Sequence, residues 1–196
     1  MASNVVPPLY SAAESDYPAV DRWCSAVLTG AAARLLLLGP SWSGKSHTAY
    51  AAIRRLVNAG YGADRIAVMN AFEVARAYDV PLRADVTLVD DVTISVDLRR
   101  EANGPRPLDQ AEAQAALALQ AAGLSESIMQ LVRRPNQSWI LIGSSEDRLV
   151  ETLGKETTAQ ILAVADVADL PARPRHCFLD HVRSQMMRAA RVTVPR

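Results

Sequence analysis

The residues best suited to chemistry form the run GPSWSGKS at positions 39–46. The run fits the pattern G-x-x-x-x-G-K-[ST], in which main-chain N–H groups of a glycine-rich loop surround nucleotide phosphates. In this pattern the lysine, here Lys45, contacts the outer phosphates, and the hydroxyl of Ser46 binds Mg²⁺. No N-K-x-D motif for reading guanine is present, so we predict ATP and Mg²⁺ as the cofactors. The predicted nucleotide-binding residues are Gly39, Pro40, Ser41, Trp42, Ser43, Gly44, Lys45, Ser46 and His47.

A pair of aspartates, Asp90 and Asp91, directly follows the apolar run VTLV. Carboxylates at the end of a buried strand lie at the carboxyl edge of the sheet, where the ligands of open α/β folds bind. We predict that Asp90 binds Mg²⁺ together with Ser46 and that Asp91 orients the attacking water. The Asp91 side chain is one methylene shorter than the glutamate that many ATPases use for this role, so hydrolysis could be slow.

A second polar pair, Ser144 and Ser145, follows the apolar run WILI. A polar side chain after a strand that faces the γ-phosphate can sense that phosphate or the attacking water, although an ordinary turn also fits this pattern. The predicted catalytic residues are Lys45, Asp91, Ser144 and Ser145.

Alternating apolar runs and helical patterns position these motifs. The run Leu35 to Leu38 predicts a strand buried on both faces, directly before the glycine-rich loop. Further strands are predicted at 65–69, 86–89, 139–142 and 161–164, and helices at 18–29, 46–59, 71–77 and 108–133, with Gly123 as a candidate interruption of the last helix. This order implies parallel pairing, and in a P-loop topology the fourth strand lies between the first and third. The predicted fold class is α/β: a three-layer αβα P-loop NTPase with a five-stranded, mainly parallel sheet.

The chain divides by composition into a loose leader (1–17), a P-loop core (18–170) and a basic helical tail (171–196). Formal net charge is zero, but the tail carries six arginines against Asp180, so polyanion contact is expected there. The arginines Arg99, Arg100 and Arg106 fit a solvated loop. We expect a cytoplasmic protein without membrane contact, because no secretory signal or long apolar run is present.

Taken together, the motifs resemble those of AAA+ ATPases of the DnaC/IstB type, the helicase loaders and transposition helpers. The likeness covers about Val20 to Ser145 and rests on GKSHTAYAAI, RIAVMNAFEVARAY, the double-aspartate VTLVDDV, and LSESIMQLVRRPNQSWILIGSS. It implies an ATPase that acts in DNA replication or transposition, with single-stranded DNA, a replicative helicase or a transposase as partners. It also implies ATP-dependent self-assembly.

Two departures from the family pattern keep alternatives open. The segment LGKETTAQIL offers Lys155 where family members carry an arginine finger, and Arg173 and Arg175 come later. The tail is also too short for a full helical lid with its own arginine. A P-loop kinase for small molecules and a non-hydrolysing ATP-binding adaptor therefore remain alternatives.

Overall fold

The computed structural model of the chain describes residues 5–76, 84–93 and 110–172. Its strands are β1 (Arg34–Leu38), β2 (Ile66–Asn70), β3 (Val86–Asp90), β4 (Ser138–Gly143) and β5 (Asp166–Asp169). Its helices are α1 (Pro18–Leu28), α2 (Lys45–Asn58), α3 (Ala71–Arg76), α4 (Gln110–Arg133), α5 (Glu146–Leu153) and α6 (Lys155–Val164). Two short 3-10 turns, Pro8–Tyr10 and Ala63–Arg65, precede α1 and β2.

The strands of the described ranges form one five-stranded sheet in the order β2-β3-β4-β1-β5. Every neighbouring pair is parallel. β4 lies between β1 and β3, as expected for a P-loop topology. The carboxyl ends of parallel strands meet at one edge, so the segments that follow β1, β3 and β4 lie close together. The predicted α/β fold with a five-stranded parallel sheet is confirmed.

Helices cover both faces of the sheet, because successive leucines of β1 point to opposite sides. Leu35 and Leu37 belong to the core beneath α1 and α2. Leu36 and Leu38 belong to the core beneath α4, α5 and α6. All four side chains are buried, and burial of each stabilises the fold by about 1.5–3 kcal/mol. The unbroken leucine run therefore reflects a strand covered on both faces, in the middle layer of three.

The strand predicted at 161–164 is wrong, because these residues form the last turn of α6. Thr158 and Ile161 are both buried and lie three residues apart, which is a helical spacing. The fifth strand is instead the adjoining segment DVAD. It lies at the edge of the described sheet, and only Ala168 is buried among its four residues. Such a short, exposed edge strand has no apolar run by which the sequence could reveal it.

α4 continues unbroken through Gly123, where the sequence suggests an interruption. A Cβ at this position would lie 2.9 Å from the main-chain oxygen of Ala75 in α3. The glycine therefore permits close packing of α3 against α4, rather than ending the helix.

Residues 5–17, predicted as part of a loose leader, lie against the core. Ala13 is only 1% exposed. Its main-chain oxygen accepts a hydrogen bond from Arg54 Nη1 over 2.9 Å. The Tyr10 ring stacks on that of Tyr50 in α2, with ring centroids 4.4 Å apart. This packing brings the leader next to the first turns of α2.

Several predicted features lie outside the described residues: Arg99, Arg100, Arg106 and the basic tail from Arg173 to Arg196. Lys155 is described and begins α6 as an exposed residue. Within the described ranges, no helix combines the length and apolar character that crossing a membrane requires.

Candidate functional site

The glycine-rich loop, residues 39–44, connects the carboxyl end of β1 to the first turn of α2. Gly44 precedes the helix with φ of 95°, a left-handed conformation that glycine adopts without strain. The space around its absent Cβ is open, with nothing within 4 Å. Within α2 the amide of Thr48 donates to the main-chain oxygen of Gly44 over 2.8 Å. Residues 45–47 are the first three residues of α2. The amides at a helix N-terminus favour an anion.

Gly39, the first residue of the loop, has no space around it for a side chain. Its φ is 150°, and a Cβ would lie 2.4 Å from the main-chain oxygen of Leu170 and 2.8 Å from Ser43 Oγ. Its N–H donates to the main-chain oxygen of Ser144 over 3.2 Å, while the Leu170 N–H donates to that of Leu38 over 2.7 Å. The start of the loop is therefore held between the segments that follow β4 and β5.

We expect the substitution Gly39→Ala to lower the free energy of unfolding by about 2–5 kcal/mol, the sum of backbone strain and steric overlap. Gly30→Ala is the matched control, because Gly30 also has a positive φ, 82°, but open space around its absent Cβ. The control is expected to lose only about 1–2 kcal/mol from strain. Urea denaturation followed by circular dichroism measures both values, and equal losses would contradict the steric contribution of Leu170.

A cleft of about 590 Å³ opens beside the loop, a volume in the range of small-molecule sites. The predicted residues that line it are Ser41, Trp42, Gly44, Lys45, Ser46, His47, Asp90 and Asp91. The other lining residues are Leu9, Tyr10, Asn70 and Ile142. Gly39, Pro40 and Ser43 belong to the same loop without lining the cleft, and Ser43 is fully buried. The fold thus brings the glycine-rich loop and the aspartate pair to one cavity.

Lys45, the first residue of α2, holds its ammonium group over the loop. Nζ donates to the main-chain oxygen of Gly39 over 2.5 Å and to that of Pro40 over 2.7 Å. Burial lowers the pKa of Lys45, and the carboxylates of Asp91 and Asp90 act in the opposite direction. The cleft therefore places one cation between main-chain dipoles and two acids.

Ser46 and Asp90 both line the cleft and are in direct contact, since Ser46 Oγ donates to Asp90 Oδ1 over 3.1 Å. Ligands at about 2.1 Å on neighbouring corners of an octahedron around Mg²⁺ are about 3 Å apart, so these two oxygens fit one such ion. In the described part of the chain no cluster of three or more His, Cys, Asp or Glu residues could hold a metal. Mg²⁺ is usually bound by one or two protein oxygens with water and phosphate. Burial raises the pKa of Asp90, while the Ser46 hydroxyl counteracts this shift.

Asp91 follows β3 in a left-handed conformation with φ of 56°, which aspartate tolerates better than most residues. Its Oδ1 accepts a hydrogen bond from Thr93 Oγ1 over 2.8 Å. Thr93 Oγ1 in turn accepts one from Ser144 Oγ over 3.2 Å. The structure therefore connects Asp91 to Ser144 through Thr93, although Ser144 does not line the cleft.

Ser145, the other predicted polar residue after β4, is the N-cap of α5. Its side chain accepts a hydrogen bond from the amide of Arg148 over 3.3 Å. This contact corresponds to the ordinary-turn alternative, because serine is a preferred N-cap residue. Of the two serines, Ser144 has the contact with the aspartate segment.

Trp42 lies in the loop with φ of 69° and is 47% exposed. A left-handed conformation costs a residue other than glycine about 1–2 kcal/mol. Trp23 and Trp139 are buried, at 2% and 0% exposure. Trp42 is therefore the accessible indole among the three tryptophans of the chain, and it lines the cleft.

The sequence reasoning missed four cleft residues and the connecting Thr93. Asn70 could have been found, because it ends β2 at the same sheet edge as the aspartates. Leu9 and Tyr10 belong to a segment whose packing on α2 no local pattern reveals. Thr93 lies two positions after Asp91, but only the turn at Asp91 makes its hydroxyl face that carboxylate.

No family model and no curated protein matches the sequence. Solved structures resemble the chain in fold. The DnaC helicase loader matches with a TM-score of 0.52 and 14% identity, over 79% of this chain and 86% of that one. Domain III of the replication initiation protein DnaA from Thermotoga maritima matches with a TM-score of 0.50 and 15% identity, over 97% and 78%.

A third similar structure is the replication initiator DnaA bound to AMPPCP and single-stranded DNA, with a TM-score of 0.50 and 11% identity. The match covers 94% of this chain and 65% of that one. At such identities the likeness establishes the fold and confirms the expected architecture. The chain shares the three-layer α/β fold of these replication proteins.

Proposed function

We propose that the chain is an AAA+ ATPase that binds Mg²⁺·ATP in the cleft and couples its hydrolysis to contact with single-stranded DNA or a replication or transposition partner. The observation that carries this proposal is the 3.1 Å contact of Ser46 Oγ with Asp90 Oδ1, next to Lys45 at the N-terminus of α2. Two oxygens suited to Mg²⁺ and a cation suited to phosphate thus lie beside a helix end that favours anions, which supports the proposal.

The residues of the cleft divide the proposed work among them. Loop amides and the Lys45 ammonium bind the phosphates and neutralise their charge, while Ser46 and Asp90 hold Mg²⁺. When bound, Mg²⁺ supplies positive charge that offsets the charge developing on the transferred phosphoryl group. Asp91 accepts a hydrogen bond from the attacking water and orients it toward the γ-phosphate. The products are ADP and inorganic phosphate.

The DNA part of the proposal is supported by the fold and by the basic tail. One structure of similar fold is of DnaA with AMPPCP and single-stranded DNA, and another is of a helicase loader. The segment from Arg173 to Arg196 carries six arginines and one acid, a formal charge of 6 − 1 = +5. Such a segment attracts a phosphate backbone without reading its sequence.

The test is ATP turnover by the purified protein with and without single-stranded DNA, at two salt concentrations. We expect slow turnover that DNA stimulates severalfold, with weaker stimulation at higher salt because the contact is electrostatic. Lys45→Ala serves as the negative control for contaminating ATPases. Tight ATP binding without turnover under either condition would favour the non-hydrolysing adaptor.

Two further measurements separate the remaining alternatives. Phosphate transfer from ATP to a nucleoside monophosphate would favour the small-molecule kinase. The molecular mass in solution, measured by light scattering with and without ATP and DNA, tests nucleotide-dependent self-assembly. A mass that never exceeds that of the monomer would contradict assembly while leaving ATP turnover to be judged separately.

A further inference from the structure

The hydrogen bonds that end at Asp91 involve one residue that the proposed chemistry does not use. Thr93 is 6% exposed and lies two residues after Asp91. Its Oγ1 donates to Asp91 Oδ1 over 2.8 Å and accepts from Ser144 Oγ at 3.2 Å. Because a hydroxyl has a single proton, donation runs in one direction, from Ser144 to Thr93 and from Thr93 to the carboxylate.

The main chain holds Thr93 in this place independently of the Asp91 side chain. The left-handed conformation of Asp91 turns the chain at the end of β3. The N–H of the next residue, Val92, then donates to the main-chain oxygen of Ile142 in β4 over 2.7 Å. Val92 is fully buried, so the segment is anchored to β4 by both a hydrogen bond and packing. The main chain therefore places the Thr93 hydroxyl beside the Asp91 carboxylate.

Asp91, in contrast, is an exposed residue with a short side chain. A water-orienting carboxylate must lie within about 2.6–3.2 Å of the water, and a misplacement of about 1 Å can cost about 100-fold in rate. A donor that fixes one carboxylate oxygen directs the other oxygen. Ser144, which donates to Thr93, also contacts the glycine-rich loop, since its main-chain oxygen accepts a hydrogen bond from the Gly39 N–H. The orientation of the Asp91 carboxylate is therefore connected to the position of that loop.

We propose that Thr93 is a positioning residue that holds the Asp91 carboxylate in the orientation required to direct the attacking water. This inference rests on the proposed ATPase function. It assigns Thr93 no contact with the nucleotide, so the binding of ATP should not depend on its hydroxyl, whereas the rate of hydrolysis should.

The experiment compares Thr93→Val, which removes the hydroxyl at nearly constant shape, with Thr93→Ser, which keeps it. We expect kcat to fall about 10-fold or more in the valine variant, with the Kd for Mg²⁺·ATP unchanged within about twofold. Serine should restore most of the rate. Thr158→Val is the matched control: Thr158 is 1% exposed, and its hydroxyl donates to the main-chain oxygen of Gly154, the residue before α6. Unchanged kcat in Thr93→Val, or an equal loss in the control, would overturn the proposal.

A second readout does not depend on turnover. Three-bond NMR couplings report the χ1 rotamer of Asp91, and we expect one rotamer in the wild type and in Thr93→Ser, but averaging in Thr93→Val. Thr93→Ala provides the same deletion if the valine variant does not fold. If the wild type hydrolyses no ATP, the proposed function fails while the rotamer data still decide the positioning role. Averaging in the wild type, or a fixed rotamer in both hydroxyl-free variants, would overturn it.

Discussion

Replacement of Lys45 by alanine is expected to weaken the binding of Mg²⁺·ATP by about 2–5 kcal/mol, or roughly 30-fold to several thousand-fold in Kd. The reason is that truncation leaves triphosphate charge without its cationic partner, next to Asp90 and Asp91. The folded state should lose much less, because the ammonium of Lys45 contacts only main-chain oxygens of its own loop among the hydrogen bonds of the described chain.

The matched control is Lys155→Ala, since Lys155 is the only other lysine of the sequence and is exposed at the start of α6. Calorimetry gives the affinity, and acrylamide quenching gives a second measure. Trp42 is the accessible indole and lines the cleft, so ATP should protect it in the control but not in Lys45→Ala. Similar affinities in both variants would remove the central assumption of the proposed function.

Asp91→Asn is expected to lower ATP turnover by about 10²–10⁴-fold while leaving the affinity for Mg²⁺·ATP nearly unchanged. Asparagine has nearly the same shape and keeps an oxygen that can accept the hydrogen bond from Thr93, but it lacks the charge that polarises the attacking water. Single-turnover hydrolysis of bound ATP, measured beside the equilibrium Kd, separates the chemical step from binding.

The comparison variant is Asp90→Asn, which removes a charge from the proposed metal pair. We expect this variant to weaken the Mg²⁺-dependent part of ATP binding, because Asp90 Oδ1 and Ser46 Oγ are the two oxygens whose spacing fits the ion. Should Asp91→Asn abolish binding, or Asp90→Asn affect only turnover, the roles assigned to the two aspartates would be reversed.

The glycine-rich loop and the aspartate pair were predictable because their chemistry depends on residues that are close in sequence. Gly44 and Gly39 occupy positions where other residues would meet strain or steric overlap, so the motif itself indicates the backbone path. The parallel pairing followed from the alternation of strands and helices, and the position of β4 between β1 and β3 followed from the P-loop topology that the motifs indicate. These rules were sufficient to place Lys45, Ser46 and Asp90 at one cleft.

The parts that the sequence did not reveal depend on contacts between distant segments or on weak local patterns. Tyr10 packs on Tyr50, forty residues away in the chain, and nothing near Tyr10 indicates that partner. β5 is an edge strand with one buried residue. Its sequence has no apolar run, so the strand was predicted at the apolar residues 161–164 just before it. Ser145 and Ser144 are identical in type, and only the structure distinguishes the helix cap from the residue that contacts Thr93.

The contact between Gly39 and Leu170 has a practical consequence for how far the chain can be trimmed. Leu170 is 2% exposed and lies just beyond β5. A truncation that removed Leu170 would take away the main chain that packs against Gly39, the first residue of the glycine-rich loop, although every strand would remain intact. Deletion studies of the basic tail should therefore retain the chain through Leu170, so that a loss of the proposed DNA binding is not confused with the effect of a displaced loop.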